Sequence, residues 1–120
     1  MFGTLKKILI IFFLFFLQFA CEAKMYEKDY VNLYCKGEIE FVLPDKTRVD
    51  CLTEEYAIEF DYAKKWAESI GQSLYYSKMT DRKPAVAIIV KKPSDKKYIM
   101  RIYKAEPNIK VFIVPACEND

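Results

Sequence analysis

Residues 85–90 read Ala-Val-Ala-Ile-Ile-Val, with Pro84 before them and Pro93 shortly after. The run does not alternate and is short enough for a central strand, so it predicts a strand covered on both faces rather than one with a wet side. Such a strand needs a sheet around it and helices packed on that sheet. The rest of the chain supplies both.

Met25 to Lys36 carries Tyr26, Tyr30, Leu33 and Tyr34 at helical spacing, and Gly37 follows as a stop. Glu38 to Leu43 alternates, with Ile39, Phe41 and Leu43 on one side and Glu38, Glu40 and Val42 on the other. Pro44, Asp45 and Lys46 provide a turn, and Thr47 to Leu52 returns as the second arm of a hairpin. The register that keeps the apolar side unmixed sets Val42 across from Arg48 and Glu40 across from Asp50. Tyr56 to Phe60 predicts a third strand, with Tyr56, Ile58 and Phe60 on one face and Ala57 and Glu59 on the other.

Asp61 then stands where an N-cap belongs, opening a helix to about Met79 with Ala63, Trp66, Ala67, Ile70 and Leu74 as its apolar side. After the 85–90 strand, Ser94 caps a helix through Ala105 that buries Tyr98, Ile99, Ile102 and Tyr103, and Ile109 to Val114 forms a last strand. The expected order is helix, three strands, helix, strand, helix, strand.

Lys6, Lys7, the apolar run Ile8 to Leu17 and small residues up to Ala23 predict a secretory signal peptide over residues 1–23, leaving one domain over 24–120. Lipid attachment at Cys21 is the secondary reading of the same segment. The expected setting is therefore exported, periplasmic or secreted, where Cys35, Cys51 and Cys117 become disulfide candidates. Cys35 and Cys117 sit at element ends and form the preferred pair, with Cys51 read as a buried thiol. The chain has no histidine, which excludes histidine triads and histidine metal sites. Lys and Arg total 19 against 17 acids, so nucleic acid is neither favoured nor excluded by charge alone.

Three carboxylates carry the chemical signal. Asp50 and Glu59 lie near the ends of adjacent predicted strands, with Glu40 in support. Convergent carboxylates are what a hard cation such as Mg²⁺ requires, since it takes a few acidic oxygens and keeps water in its remaining positions. The following helix repeats Lys65, Glu68, Gln72 and Tyr76 on one side, with Lys64 beside Lys65 in its first turn. An ammonium there would orient water or hold a phosphate. The competing reading is a solvated sheet face with an ordinary i, i+4 ion pair on the helix.

From Glu38 to Tyr76 these residues resemble the PD-(D/E)XK nuclease superfamily. The likeness rests on Asp50 ending one strand, Glu59 on the next, and Gln72-Ser73-Leu74-Tyr75-Tyr76, which is similar to the QxxxY element of RecB-like members. It implies an α/β, restriction-endonuclease-like αβββαβ core, a mixed sheet flanked by helices. It further implies Asp50 and Glu59 as ligands of Mg²⁺ or Mn²⁺, with Glu40 as a looser upstream acid, and Gln72 with Tyr76 steadying substrate or site. The activity implied is hydrolysis of nucleic-acid phosphodiesters, DNA before RNA. Position 61 departs from the family, being Asp where lysine is expected. Either Lys64 or Lys65 takes that role, or the chain is a catalytically silent, exported binding or structural module.

Overall fold

The computed structural model describes residues 24–117. The segment read as a signal peptide and the candidate lipid site at Cys21 lie outside them. A first helix, α1 (Glu27–Tyr34), leads into β1 (Glu38–Val42), β2 (Arg48–Leu52) and β3 (Tyr56–Tyr62). A 3₁₀ turn, Ala63–Lys65, opens α2 (Trp66–Thr80), followed by β4 (Lys83–Val90). A second 3₁₀ turn, Pro93–Asp95, opens α3 (Lys96–Ala105), and β5 (Lys110–Pro115) closes the fold. The strands form one mixed sheet in the order β1-β2-β3-β4-β5, with β1, β2 and β3 antiparallel in succession and β3, β4 and β5 parallel. Among the described residues no helix is long and apolar enough to cross a membrane.

The run at 85–90 is a doubly covered strand. Ala85, Ala87 and Ile89 pack on the α1 side with Tyr30, Val31, Ile58 and Phe60. Val86 and Ile88 pack on the other side with Ile99 and Ile102 of α3 and Ala63. The two faces of β4 are thus both dry, which is why the sequence shows no alternation there.

The hairpin register is Val42 opposite Arg48 and Phe41 opposite Val49, as the apolar pattern requires. Its tip is held by Asp45, whose Oδ1 accepts from the Thr47 amide at 3.0 Å and from the Thr47 hydroxyl at 2.6 Å. Tyr75 of α2 donates its phenolic proton to the same carboxylate. Gly37 is required at the start of β1 because a Cβ there would stand 2.2 Å from the Leu52 carbonyl oxygen.

Several expectations are corrected. Asp61 is not an N-cap: β3 runs on to Tyr62, with Phe60, Asp61 and Tyr62 paired to Ala87, Ile88 and Ile89 of β4. The buried side of α2 is Ser69, Ser73 and Tyr76, with Trp66 and Ile70 partly covered, whereas Leu74 is 37% exposed. The two serines lie flat against the sheet by bonding backbone carbonyls, Ser69 to Trp66 at 2.7 Å and Ser73 to Ala85 at 2.9 Å. Before α3 the capping carboxylate is that of Asp95, not Ser94, and it accepts the Lys91 and Lys92 amides at 2.9 and 3.3 Å. Tyr103 points outward, at 45% exposure.

The disulfide is also corrected. Cys35 is bonded to Cys51, with Cα atoms 5.7 Å apart. Cys51 faces α1, and Cys35 leaves the end of that helix directly above it, so the bond ties α1 to β2. Cys117 instead donates its amide to the Tyr30 hydroxyl at 3.2 Å and sets its sulfur 3.3 Å from that of Met25.

Candidate active site

β2 and β3 pair at two positions, Cys51 with Ile58 and Leu52 with Ala57. One further step in that register brings Asp50 level with Glu59, and there the ladder gives way. The Phe60 amide donates to Asp50 Oδ2 at 2.8 Å, so a side chain takes the place of a strand partner. On its other edge β3 stays fully paired to β4 through Tyr62. The gap between β2 and β3 is where the carboxyl groups collect.

Four of them meet there as two hydrogen-bonded pairs. Glu59 is paired with Asp50, and Glu27, from the first turn of α1, with Asp61, each raising its partner or being raised by it. Glu59 is 6% exposed and Asp61 4%, and Glu59 Oε2 is buried with no hydrogen-bond partner. Burial, then the charge of Asp50 and its hydrogen bond, push the Glu59 carboxyl up to about 10. Burial, then the charges of Asp61 and Asp50, push Glu27 up to about 7. Burial raises Asp50 as well, opposed by the Phe60 amide and the Glu59 hydrogen bond. Asp61 is raised by burial against the pull of Lys65 and the Tyr62 amide. Burial and repulsion from neighbouring carboxylates raise all four acids, most of all Glu59, and Lys65 offsets only part of that charge.

Lys65 is the nearest cation, its Nζ 4.0 Å from Asp61 Oδ1 while the side chain is 57% exposed. It also opposes the upward shift of Glu27. Tyr76, from the middle of α2, is 7% exposed, and its phenol is raised by burial and then by the charges of Glu59 and Asp50. Glu68 acts on Asp61 from the same side of α2. The polar stripe Lys65, Glu68, Gln72 and Tyr76 therefore runs along the carboxyl gap, with Gln72 half-buried between Glu68 and Tyr76.

Two predicted members stand elsewhere. Glu40 is exposed, has a left-handed backbone at φ 53 and pairs with Arg48 at 3.0 Å on the hairpin surface, from where its charge still raises Asp50. Lys64 makes no ion pair with the four acids and lines the neighbouring cavity together with Tyr62, Lys65 and Lys91. Two members were missed. Asp61 was hidden by its resemblance to a helix cap. Glu27 precedes the buried Tyr30 and Val31 by three and four residues, which puts it on the sheet-facing side of α1. A carboxylate on the dry stripe of a short helix was the signal available.

All-oxygen donors are the kind that suit Mg²⁺ or Mn²⁺, and Glu59 brings to them a buried oxygen without a hydrogen-bond partner. The donors stand in pairs: among the described residues no three acidic or sulfur groups converge on a ready-made cage. Comparison of the chain with protein-family models, with curated proteins and with solved structures finds no match.

Proposed function

We propose that this protein is a metal-dependent phosphodiesterase acting on nucleic acid, DNA before RNA, with a restriction-endonuclease-like core. The observation that carries the reading is the Asp50 and Glu59 carboxyl pair at the point where β2 leaves β3, with a buried Glu59 oxygen that lacks a partner. The order α1-β1-β2-β3-α2-β4 supports it, as does the mixed sheet with helices on both faces.

Asp50 and Glu59 would hold the cation, with Asp61 and Glu27 completing an anionic wall. A bound Mg²⁺ or Mn²⁺ supplies Lewis acidity and an acidified water. The chain's own residues do the rest. The Phe60 amide fixes the rotamer of Asp50. Lys65, tethered to Asp61 at 4.0 Å but largely in solvent, swings between that carboxylate and an incoming phosphate or water. It takes the place of the lysine that position 61 lacks. Tyr76 closes the gap on the α2 side with Leu43, Val49 and Ala57 and keeps bulk water from Glu59. An exported setting is supported by the Cys35 to Cys51 disulfide, which an oxidising compartment would preserve.

A second reading is a silent binding module of the same fold. Aspartate at position 61 and the absence of a ready-made cage among the described residues favour it. Plasmid and single-stranded DNA with Mg²⁺ or Mn²⁺, beside Asp50→Asn and Glu59→Gln, separates the two. Cleavage above both variants supports the enzyme; no cleavage together with no metal binding overturns it.

A further inference from the structure

Next to the carboxyl gap, where the parallel strands β3 and β4 end, lies a cavity of about 470 Å³ lined by Tyr62, Lys64, Lys65, Lys91, Lys92 and Asp95, among others. We infer that this cavity binds a phosphate of the nucleic-acid strand, adjacent to the one being cleaved. The inference takes its substrate class from the reading above.

Four ammonium groups face one carboxylate here, and that carboxylate is committed. Asp95 is buried at 3% exposure, with its oxygen turned onto the Lys91 and Lys92 amides. The four lysines are all exposed at the rim. Lys91 sets its ammonium 4.7 Å over the uncharged Tyr62 ring, and Lys65 is shared with Asp61 at 4.0 Å. Among the described residues Lys64 and Lys92 make no ion pair, which leaves them to an outside anion.

Both crossover helices begin at this cavity, one through Ala63–Lys65 and the other through Pro93–Asp95, so the positive ends of α2 and α3 add to the field. The end of parallel strands is also where α/β sheets offer a ligand crevice. A volume of about 470 Å³ is that of a ligand cleft rather than of a single ion, so room remains for sugar beside the phosphate. Tyr62 and Lys65 follow Asp61 by one and four residues. A strand crossing the carboxyl gap therefore meets the lysines next.

The test is fluorescence polarisation of the purified protein in EDTA with a short 3′-fluorescein oligothymidylate, so that binding is read without cleavage. The Lys64→Gln/Lys92→Gln variant should bind roughly tenfold more weakly, and its slope of log affinity against log salt should fall by about 1.4, two phosphate contacts at about 0.7 each for a single strand. Lys104→Gln/Lys110→Gln removes equal charge elsewhere and should keep wild-type affinity. Unlabelled 5′-phosphate and 5′-hydroxyl oligomers and inorganic phosphate serve as competitors. Preference for the 5′-phosphate assigns the cavity to a strand end, and equal competition by both oligomers assigns it to an internal phosphodiester. No binding by wild type, or equal loss in both double variants, overturns the inference. Binding as expected without cleavage in Mg²⁺ would retire the nuclease reading and leave the cavity.

Discussion

β3 has two halves built to different rules. From Tyr56 to Ile58 it is bonded on both edges, to β2 and to β4, and its side chains enter apolar clusters. From Glu59 to Asp61 it keeps β4 but loses β2, and acids from α1, β2 and β3 fill the space. The first half is what a stable sheet requires. The second concentrates like charge where it is partly or wholly buried, which costs stability, and perturbed acids of this kind cluster at functional sites.

The sharpest contrast should appear in activity. Asp50→Asn and Glu59→Gln are each expected to lower Mg²⁺-dependent cleavage by at least about a hundredfold, corresponding to roughly 3 kcal/mol of lost transition-state stabilisation. Steady-state rates on plasmid DNA check this. Ile88→Ala, in the well-paired layer on β4, should instead cost about 3 kcal/mol of stability in urea melts while leaving Mn²⁺ affinity of the folded protein unchanged. If Ile88→Ala altered metal affinity as strongly as Asp50→Asn, the two halves would not be distinct.

Breaking the tie between α1 and β2 should come next. Cys35→Ser/Cys51→Ser removes a cross-link of sequence separation 16, worth about 3 kcal/mol at most, because its loop is short. Since α1 carries Glu27 and β2 carries Asp50, the variant should weaken Mn²⁺ binding as well as lower the melting temperature.

The pH response should be smaller and of a definite sign. Glu59 and Glu27 have folded pKa values raised to about 10 and about 7, above their unfolded value of 4.5. The native state thus binds more protons than the unfolded one, and stability falls as pH rises from about 4.5, first through 7 and then toward 10. Glu59→Gln should remove most of the later decline and raise stability at pH 8 by about 1–2 kcal/mol. Chemical denaturation at pH 5 and pH 8 reads the slope; a wild-type protein more stable at pH 8 than at pH 5 would contradict it.

The hairpin register and the doubly covered strand were legible because both follow from where apolar residues repeat. Asp50 and Glu59 were legible as acids near the ends of adjacent strands, whereas the β2–β3 register that brings them level was not. Neither was the other half of the carboxyl gap. Asp61 reads as a cap because a short polar residue before a helical pattern usually is one, and only the pairing of β3 with β4 carries the strand past it. Glu27 depends on which side of a short helix meets the sheet, and Cys35 with Cys51 depends on the same packing. Ser69 and Ser73 were passed over as core because burial there is achieved by bonding to the backbone rather than by apolar surface.

The central claim is that the four acids of the gap await a cation. Calorimetric titration of Mn²⁺ into the protein at pH 8, beside Glu59→Gln, tests it most directly. The account predicts one saturable binding event that releases protons from the carboxyl pairs and is lost or much weakened in the variant. Absence of binding by wild type, or binding unchanged in Glu59→Gln, would contradict it.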